Sequence, residues 1–241
     1  MTATPTNRPT VTLMVVTLNE VEGMKAIMPK VPTEWVDQII VVDGGSTDGT
    51  IEYAKEHGYE VYVQKKRGIR HAYIEVYPQL RGDIVVTFSP DGNSIPELIA
   101  PLVQKMADGY DMVIVSRYAP GAKSVDDDIV TGFGNWLFTN VINLVHGGRY
   151  TDAMVIYRGW KRELFRDLDM LKDESYVTEK LFGTVMGCEP LLSIRAAKRK
   201  LKLADIPGDE PPRIGGVRKL QVIRWGAAYM AQVFLEKVYW R

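Results

Sequence analysis

Apolar residues in the first half of the chain come in short unbroken runs, separated by polar, glycine-rich stretches. Residues 11–16, 38–42, 60–63, 84–88 and 111–115 read as strands, because β-branched residues dominate these runs. Between them the pattern shifts to a helical period over residues 20–28, 50–57, 71–77 and 96–106. Pro29 stops the first of these helices, and Pro96 opens the last, where a missing N–H costs nothing. Strands that are apolar throughout are buried on both faces. Repeated β-α units of this kind predict an α/β fold, with a mostly parallel sheet flanked by helices.

The second half is less regular. Residues 132–145 and 178–186 read as amphipathic helices, and 207–216, rich in Pro and Gly, as a mobile loop. Residues 220–239 read as a C-terminal amphipathic helix carrying Trp225, Tyr229, Met230, Val233 and Phe234, with Trp240 just beyond. Two readings of that helix stay open. Its aromatics and cations suit a membrane interface, and they equally suit packing on the domain's own core or on a second subunit of a homodimer.

Composition narrows the class. With 241 residues, 46% of them hydrophobic, the chain can bury a full core as one domain with no clean internal boundary. Lys plus Arg (30) equals Asp plus Glu (30), which argues against nucleic acid as a partner. The balance is uneven, however: residues 195–241 carry 11 Lys or Arg against 4 Asp or Glu, while Asp126, Asp127 and Asp128 are consecutive. One cysteine, Cys188, excludes an internal disulfide and fits a reducing compartment. The polar start and the lack of an apolar run near the ~20 residues that span a bilayer predict a cytoplasmic protein, soluble or peripheral at a membrane.

Candidate chemistry lies in the loops after the strands. The turn Ser89-Pro90-Asp91-Gly92-Asn93 follows the strand 84–88, and ligands bind at that carboxyl edge in open α/β sheets. The Asp91 carboxylate and Asn93 amide oxygen, two residues apart, suit a hard cation such as Mg²⁺ or Mn²⁺. An Asp-Gly turn after a strand is also an ordinary structural device. Asp43 can accept hydrogen bonds from a ribose or base, and Asp48 and Thr50 read as turn and cap residues. No G-x-G-x-x-G follows the first strand, and no P-loop is present, which excludes a dinucleotide fingerprint and a Walker site.

These motifs, in order, are VVTLNE, IIVVDGGSTDGT, RGIRHA, GDIVVTFSPDGNSIPE, VIVSRY, DAMVIYRGWKREL and RIGGVRKL. Together they resemble the inverting family 2 glycosyltransferases of GT-A fold, most of all the polyprenyl-phosphate type such as dolichol-phosphate mannose synthase. The resemblance covers nearly the whole chain. It implies a nucleotide-sugar-binding half over 10–118, an acceptor-side half over 119–219 and the helix 220–241. It further implies that Thr17, Asn19, Glu20, Asp43, Arg67, Gly68, Arg70 and Ser89 border the donor nucleotide and that Asp91 and Asn93 hold Mg²⁺ or Mn²⁺. Arg117 of the S-R-Y segment would face the acceptor, and Arg213 and Lys219, with Gly216 between them, would close over phosphates. The family places a carboxylate near residue 179, so Glu179 is the expected base if the acceptor is a hydroxyl, with Asp173 and Glu174 as alternatives.

Several positions depart from the family pattern. Ser89 stands where the D-x-D signature has its first aspartate, Arg218 replaces a serine, and Asp126-Asp127-Asp128 occupies a stretch that is often basic. The C-terminal transmembrane helices of many relatives are absent. The expected activity is a metal-dependent transfer from a GDP- or UDP-sugar to a polyprenyl phosphate. The alternatives are transfer to a glycan or small-molecule hydroxyl, or a nucleotide-sugar-binding protein without catalysis.

Overall fold

The computed structural model describes residues 8–215 and 222–240. Seven strands form one sheet: β1 (Val11–Thr17), β2 (Gln38–Asp43), β3 (Glu60–Val63), β4 (Ile84–Phe88), β5 (Met112–Ser116), β6 (Arg158–Lys161) and β7 (Leu203–Pro207). The helices are α1 (Val21–Ile27), α2 (Thr50–Glu56), α3 (Ile69–Val76), α4 (Ile99–Ala107), α5 (Ile129–His146), α6 (Leu164–Asp167), α7 (Val177–Phe182), α8 (Glu189–Lys198) and α9 (Val222–Tyr239). Strand order is β3-β2-β1-β4-β6-β5-β7, with β6 antiparallel to both neighbours and every other pair parallel.

Alternate residues of the central strands enter two cores. Met14, Ile40, Val85, Met112 and Ile114 meet Tyr73 and Val76 of α3, Ile142 of α5, Ile194 of α8 and Val233 of α9. Leu13, Val15, Val41, Val86 and Val113 meet Met24 of α1, Ala54 of α2 and Leu102 and Met106 of α4. Helices on both faces are why these strands carry no polar alternation. Because the strands run parallel, the loops after β1, β2, β4, β5 and β7 all open on one edge.

β6, β7 and α8 were not expected from the sequence. Arg158-Gly159-Trp160-Lys161 has no apolar run, yet the strand lies mid-sheet, pairing Thr87 with Arg158 on one side and Val113 with Gly159 on the other. Gly159 permits this, since a Cβ there would come 2.5 Å from Leu102 Cδ2. Arg158 is buried and donates to the carbonyls of Ala153, Val155 and Glu189 and to Ser193 Oγ. α5 begins before residue 132 because Asp128 and Thr131 form a reciprocal capping box at its start. α7 stops at Gly183, which takes a left-handed conformation, rather than running to 186.

α9 packs on α5, α7 and α8, which decides for the domain's own core as the seat of much of its apolar surface. Tyr229, Val233 and Trp240 are buried, whereas Phe234 and Tyr239 stay exposed. A buried pair anchors it: Arg195 of α8 donates to Glu236 at 2.8 and 2.9 Å, and Glu236 also accepts from Gln232 at 2.8 Å. Among the described residues, no helix is long and apolar enough to cross a membrane.

Candidate active site

A cavity of about 910 Å³ opens at the carboxyl edge of the sheet, lined by the loops after β1, β2, β4 and β7 and by α5, α8 and α9. Its polar end is a zipper between two loops. Thr17 Oγ1 donates to Asp43 Oδ2 at 2.8 Å, Ser46 Oγ accepts from Asn19 N at 2.7 Å, and Asn19 Oδ1 accepts from Thr47 N at 2.9 Å. Asn19 reaches this geometry with a φ of 56°, a left-handed conformation that asparagine tolerates. Asp48 accepts from Val21 N and Thr50 N, and Thr50 Oγ1 accepts from Glu20 N, so both tie the starts of α1 and α2 together, while the cap position of α2 itself is Gly49. Burial opposes the Asp48 carboxylate, and its hydrogen bonds from Thr50 and Val21 outweigh that and lower its pKa.

Asp43 has no exposed surface, and its carboxylate accepts from Gly45 N, Ser46 N, Ser46 Oγ and Thr17 Oγ1. Thr17, Asn19, Glu20, Arg67, Gly68 and Ser89 lie on the cavity wall; Asp43 and Arg70 stand behind it. Arg70 pairs with Glu179 at 2.8 Å and with Asp173 at 2.7 Å, and lies over the Tyr176 ring. Glu179 is thereby committed to an ion pair and also accepts from Met186 N at 2.8 Å. Glu179, Asp173 and Arg70 are thus paired with one another off the cavity wall, and they fasten α3 to α7 and to the turn before it.

At the cavity floor, the turn after β4 is held from two sides. A Cβ on Gly23 of α1 would meet Pro90 O at 2.3 Å. Gly92, with φ of 95°, lies under Ile214, whose N–H donates to Asp91 O at 2.6 Å. Arg213 Nη1 lies 2.6 Å from Asp91 Oδ2, and Asn93 N donates to Asp91 Oδ1 at 3.1 Å. The loop expected to be mobile is thus tied across the site, with Glu210 N donating to Lys123 O and Glu210 O accepting from Val125 N. Gly216, Arg218 and Lys219 lie outside the described residues.

Asp91 and Asn93 suit a hard divalent cation. Both line the cavity, and Asn93 Oδ1 is shut from solvent without a hydrogen-bond partner among the described residues. No group of three or more His, Cys, Asp or Glu among the described residues could enclose a metal, so a cation here would draw further ligands from a bound anion and water.

Arg117 does not face the cavity as a lone cation. Its guanidinium binds Asp152 at 2.7 Å, Glu210 at 3.2 Å and Asp127 at 3.3 Å. Burial would lower its pKa, and these three carboxylates raise it instead. Tyr118 donates to Asp127, and burial together with that carboxylate raises the phenol's pKa.

The far end of the cavity is apolar. Val130, Gly134 and Phe138 of α5 face Trp225, Gly226 and Tyr229 of α9, with Met154 and Val185 beside them. Glu189, at the start of α8, is a buried carboxylate on this wall, its Oε1 accepting from Tyr73 Oη at 2.6 Å. Sequence reasoning missed Glu189 and the groove-lining residues of α5. The signal for Glu189 was the Glu-Pro pair, which marks a helix start.

Comparison with known proteins gives these features a family. Residues 13–169 match the model described as glycosyl transferase family 2. The chain is 28% identical over 229 residues to glycosyltransferase AglJ of Haloferax volcanii, covering 93% of this chain and 71% of that protein. It is 25% identical over 234 residues to undecaprenyl-phosphate mannosyltransferase of Micrococcus luteus, covering 88% of this chain and 92% of that protein. The fold resembles glucosyl-3-phosphoglycerate synthase of Mycobacterium tuberculosis, solved with Mn²⁺, UDP-glucose and phosphoglyceric acid. The TM-score is 0.63 at 20% identity, over 95% of this chain and 80% of that one.

Proposed function

The chain belongs to glycosyltransferase family 2, and from that premise we propose that it moves a sugar from a nucleotide-diphosphate donor to a polyprenyl phosphate, aided by Mg²⁺ or Mn²⁺ at Asp91 and Asn93. The observation that carries this reading is the two-ended cavity. A polar zipper and Arg67 line one end, an apolar groove between α5 and α9 lines the other, and Asp91 lies between. A nucleotide fits the first end and an isoprenoid chain the second. The named activity of the Micrococcus luteus relative supports the acceptor, and the ligands of the structural neighbour support a divalent cation with a nucleoside diphosphate.

Each residue then has a task. Asn19, held by Ser46 and Thr47, shapes the loop against which base and ribose rest, and Asp43 fixes that loop from behind. Asp91 and Asn93 would hold the cation, which when bound would supply electrostatic stabilisation of the leaving diphosphate. Arg213, already paired with Asp91, exchanges that carboxylate for a diphosphate oxygen as the donor enters, and Lys219 joins it. The acceptor's phosphate oxygen bonds to the anomeric carbon as the bond from that carbon to the diphosphate breaks. That oxygen is ionised near neutral pH, so no general base is needed. Apolar walls exclude water and protect the donor from hydrolysis.

Such an acceptor resides in a membrane. Ile129, Phe133 and Trp136 of α5, exposed by 92%, 60% and 59%, lie one helix face away from the cavity wall and support peripheral contact with lipid. A second reading is favoured by the acidic rim of Asp126, Asp127 and Glu210, which repels a phosphate. There the acceptor is a hydroxyl, and Glu189, on the wall and oriented by Tyr73, serves as its base.

The test is a transfer assay with labelled UDP- and GDP-sugars, Mn²⁺ or Mg²⁺, and undecaprenyl phosphate, followed by extraction into organic solvent. Label in the lipid phase that EDTA removes is the expected result. Nucleotide binding without lipid label from any donor overturns the lipid acceptor. Transfer to hydroxyl acceptors that is lost in Glu189→Gln would then establish the second reading.

A further inference from the structure

The Asn93 carboxamide has two unequal surroundings. Its Nδ2 donates to Asp126 Oδ2 at 2.9 Å and to Glu210 Oε1 at 3.3 Å, while its Oδ1 is buried without a partner among the described residues. An ionised carboxylate only accepts hydrogen bonds, and a primary amide has a donating end and an accepting end. Two carboxylates on one side therefore dictate that nitrogen faces them and oxygen faces away. The two come from different parts of the chain. Asp126 precedes α5 and Glu210 follows β7, and the Ser124–Glu210 bridge brings their segments together.

We propose that Asp126 and Glu210 are positioning residues that lock Asn93 with Oδ1 toward the catalytic cation. This rests on the metal reading above. A flipped carboxamide would present an NH₂ group to the cation and repel it. Ser89 supplies no charge where the family pattern has an aspartate, so the orientation of a neutral ligand matters more here. The acidic stretch that departs from the family pattern thus gains a role: Asp126 reads the amide, and Asp127 binds Arg117. Outer partners of this kind typically change metal affinity about 10- to 100-fold when replaced.

The experiment is an electron paramagnetic resonance titration of free Mn²⁺ against the full chain, with UDP or GDP present. Asp126→Asn with Glu210→Gln replaces acceptors by amides and frees Asn93 to flip. Mn²⁺ affinity is expected to fall about 10- to 100-fold. Adding Asn93→Asp to that double variant should recover most of the loss, because an aspartate offers oxygen either way and the new amides donate to it. Asn93→Asp alone in the wild-type background gives the gain due to charge, and a merely structural role would not produce recovery in the triple variant beyond that gain. Asp126→Asn alone keeps the Glu210 bonds to Arg117 and Ser124 and should weaken Mn²⁺ in the same direction, by less. Unchanged affinity in a folded double or single variant, or a triple variant no better than the double, overturns the proposal. A wild-type chain that binds no Mn²⁺ with either nucleotide overturns the metal reading, and this proposal with it.

Discussion

The polar and apolar ends of the cavity are held together in opposite ways. At the polar end, Asp43 is bonded by residues of its own turn and of the adjacent strand's end: Gly45, Ser46 and Thr17. Beside Asn93, Arg117 gathers Asp127, Asp152 and Glu210 from three separate segments, and at the apolar end α9 hangs on Arg195 of α8. Local bonds need little of the rest of the fold. Long-range ones form only when the whole acceptor side has assembled. The polar end is therefore a feature of a β-α unit, and the apolar end a feature of the complete domain.

Four substitutions bear on that contrast. Asp91→Ala removes the residue both ends share, so lipid transfer and donor hydrolysis should fall together by at least ~1,000-fold, or about 4 kcal/mol. Retained hydrolysis would mean that the ends work independently. Glu236→Ala strands Arg195 in the core and should cost about 3 kcal/mol, measured by urea unfolding. Near its unfolding midpoint this variant should lose lipid transfer before nucleotide binding. Gly134→Leu places a side chain where no atom lies within 4 Å of the added Cβ, and favours the helix by propensity. Lipid transfer should drop about 10- to 100-fold with nucleotide affinity and melting temperature preserved, since the misplaced acceptor loses its alignment. Asp128→Ala deletes the cap of α5 and should cost about 1 kcal/mol.

The smallest effect concerns acid. Burial lowers the His146 pKa below its ordinary value of 6.5, Lys198 and Lys237 add to this, and the hydrogen bond to Val233 O opposes it. The unfolded chain takes up this proton first as pH falls through 6.5, so stability declines from there down to the folded-state pKa. His146→Gln should flatten that part of the urea midpoint against pH. An unaltered slope would place the acid sensitivity elsewhere.

The same contrast governs what the sequence disclosed. β1 to β5 were legible to within a residue at each end; β1, β2, β4 and β5 because an unbroken β-branched run buried on both faces has few other homes, and β3, an edge strand with no buried residue, by its place between two helical stretches. β6 was hidden: Arg158 and Lys161 look like loop residues until β4 and β5 offer edges and buried carbonyls receive the guanidinium. A turn signature marked Asp91 and Asn93, a resemblance marked them together with Arg213, and the fold brings the three side by side. The resemblance marked Glu179 and nothing marked Glu189, since only the packing of α3 against α7 sends Arg70 to Glu179 and leaves Glu189 on the wall. Arg117 was legible as a cation and illegible as a neutralised one, because its carboxylates lie up to 93 residues away.

Arg213 and the groove residues Trp225, Gly226 and Tyr229 all follow β7 in the chain. On the ribosome, the sheet and the polar zipper can therefore form while the cavity still lacks Arg213 and one wall. On the proposed reading, a nascent chain at that stage can meet a nucleotide sugar but has nowhere to seat an isoprenoid, so synthesis itself would delay transfer until α9 has left the exit tunnel.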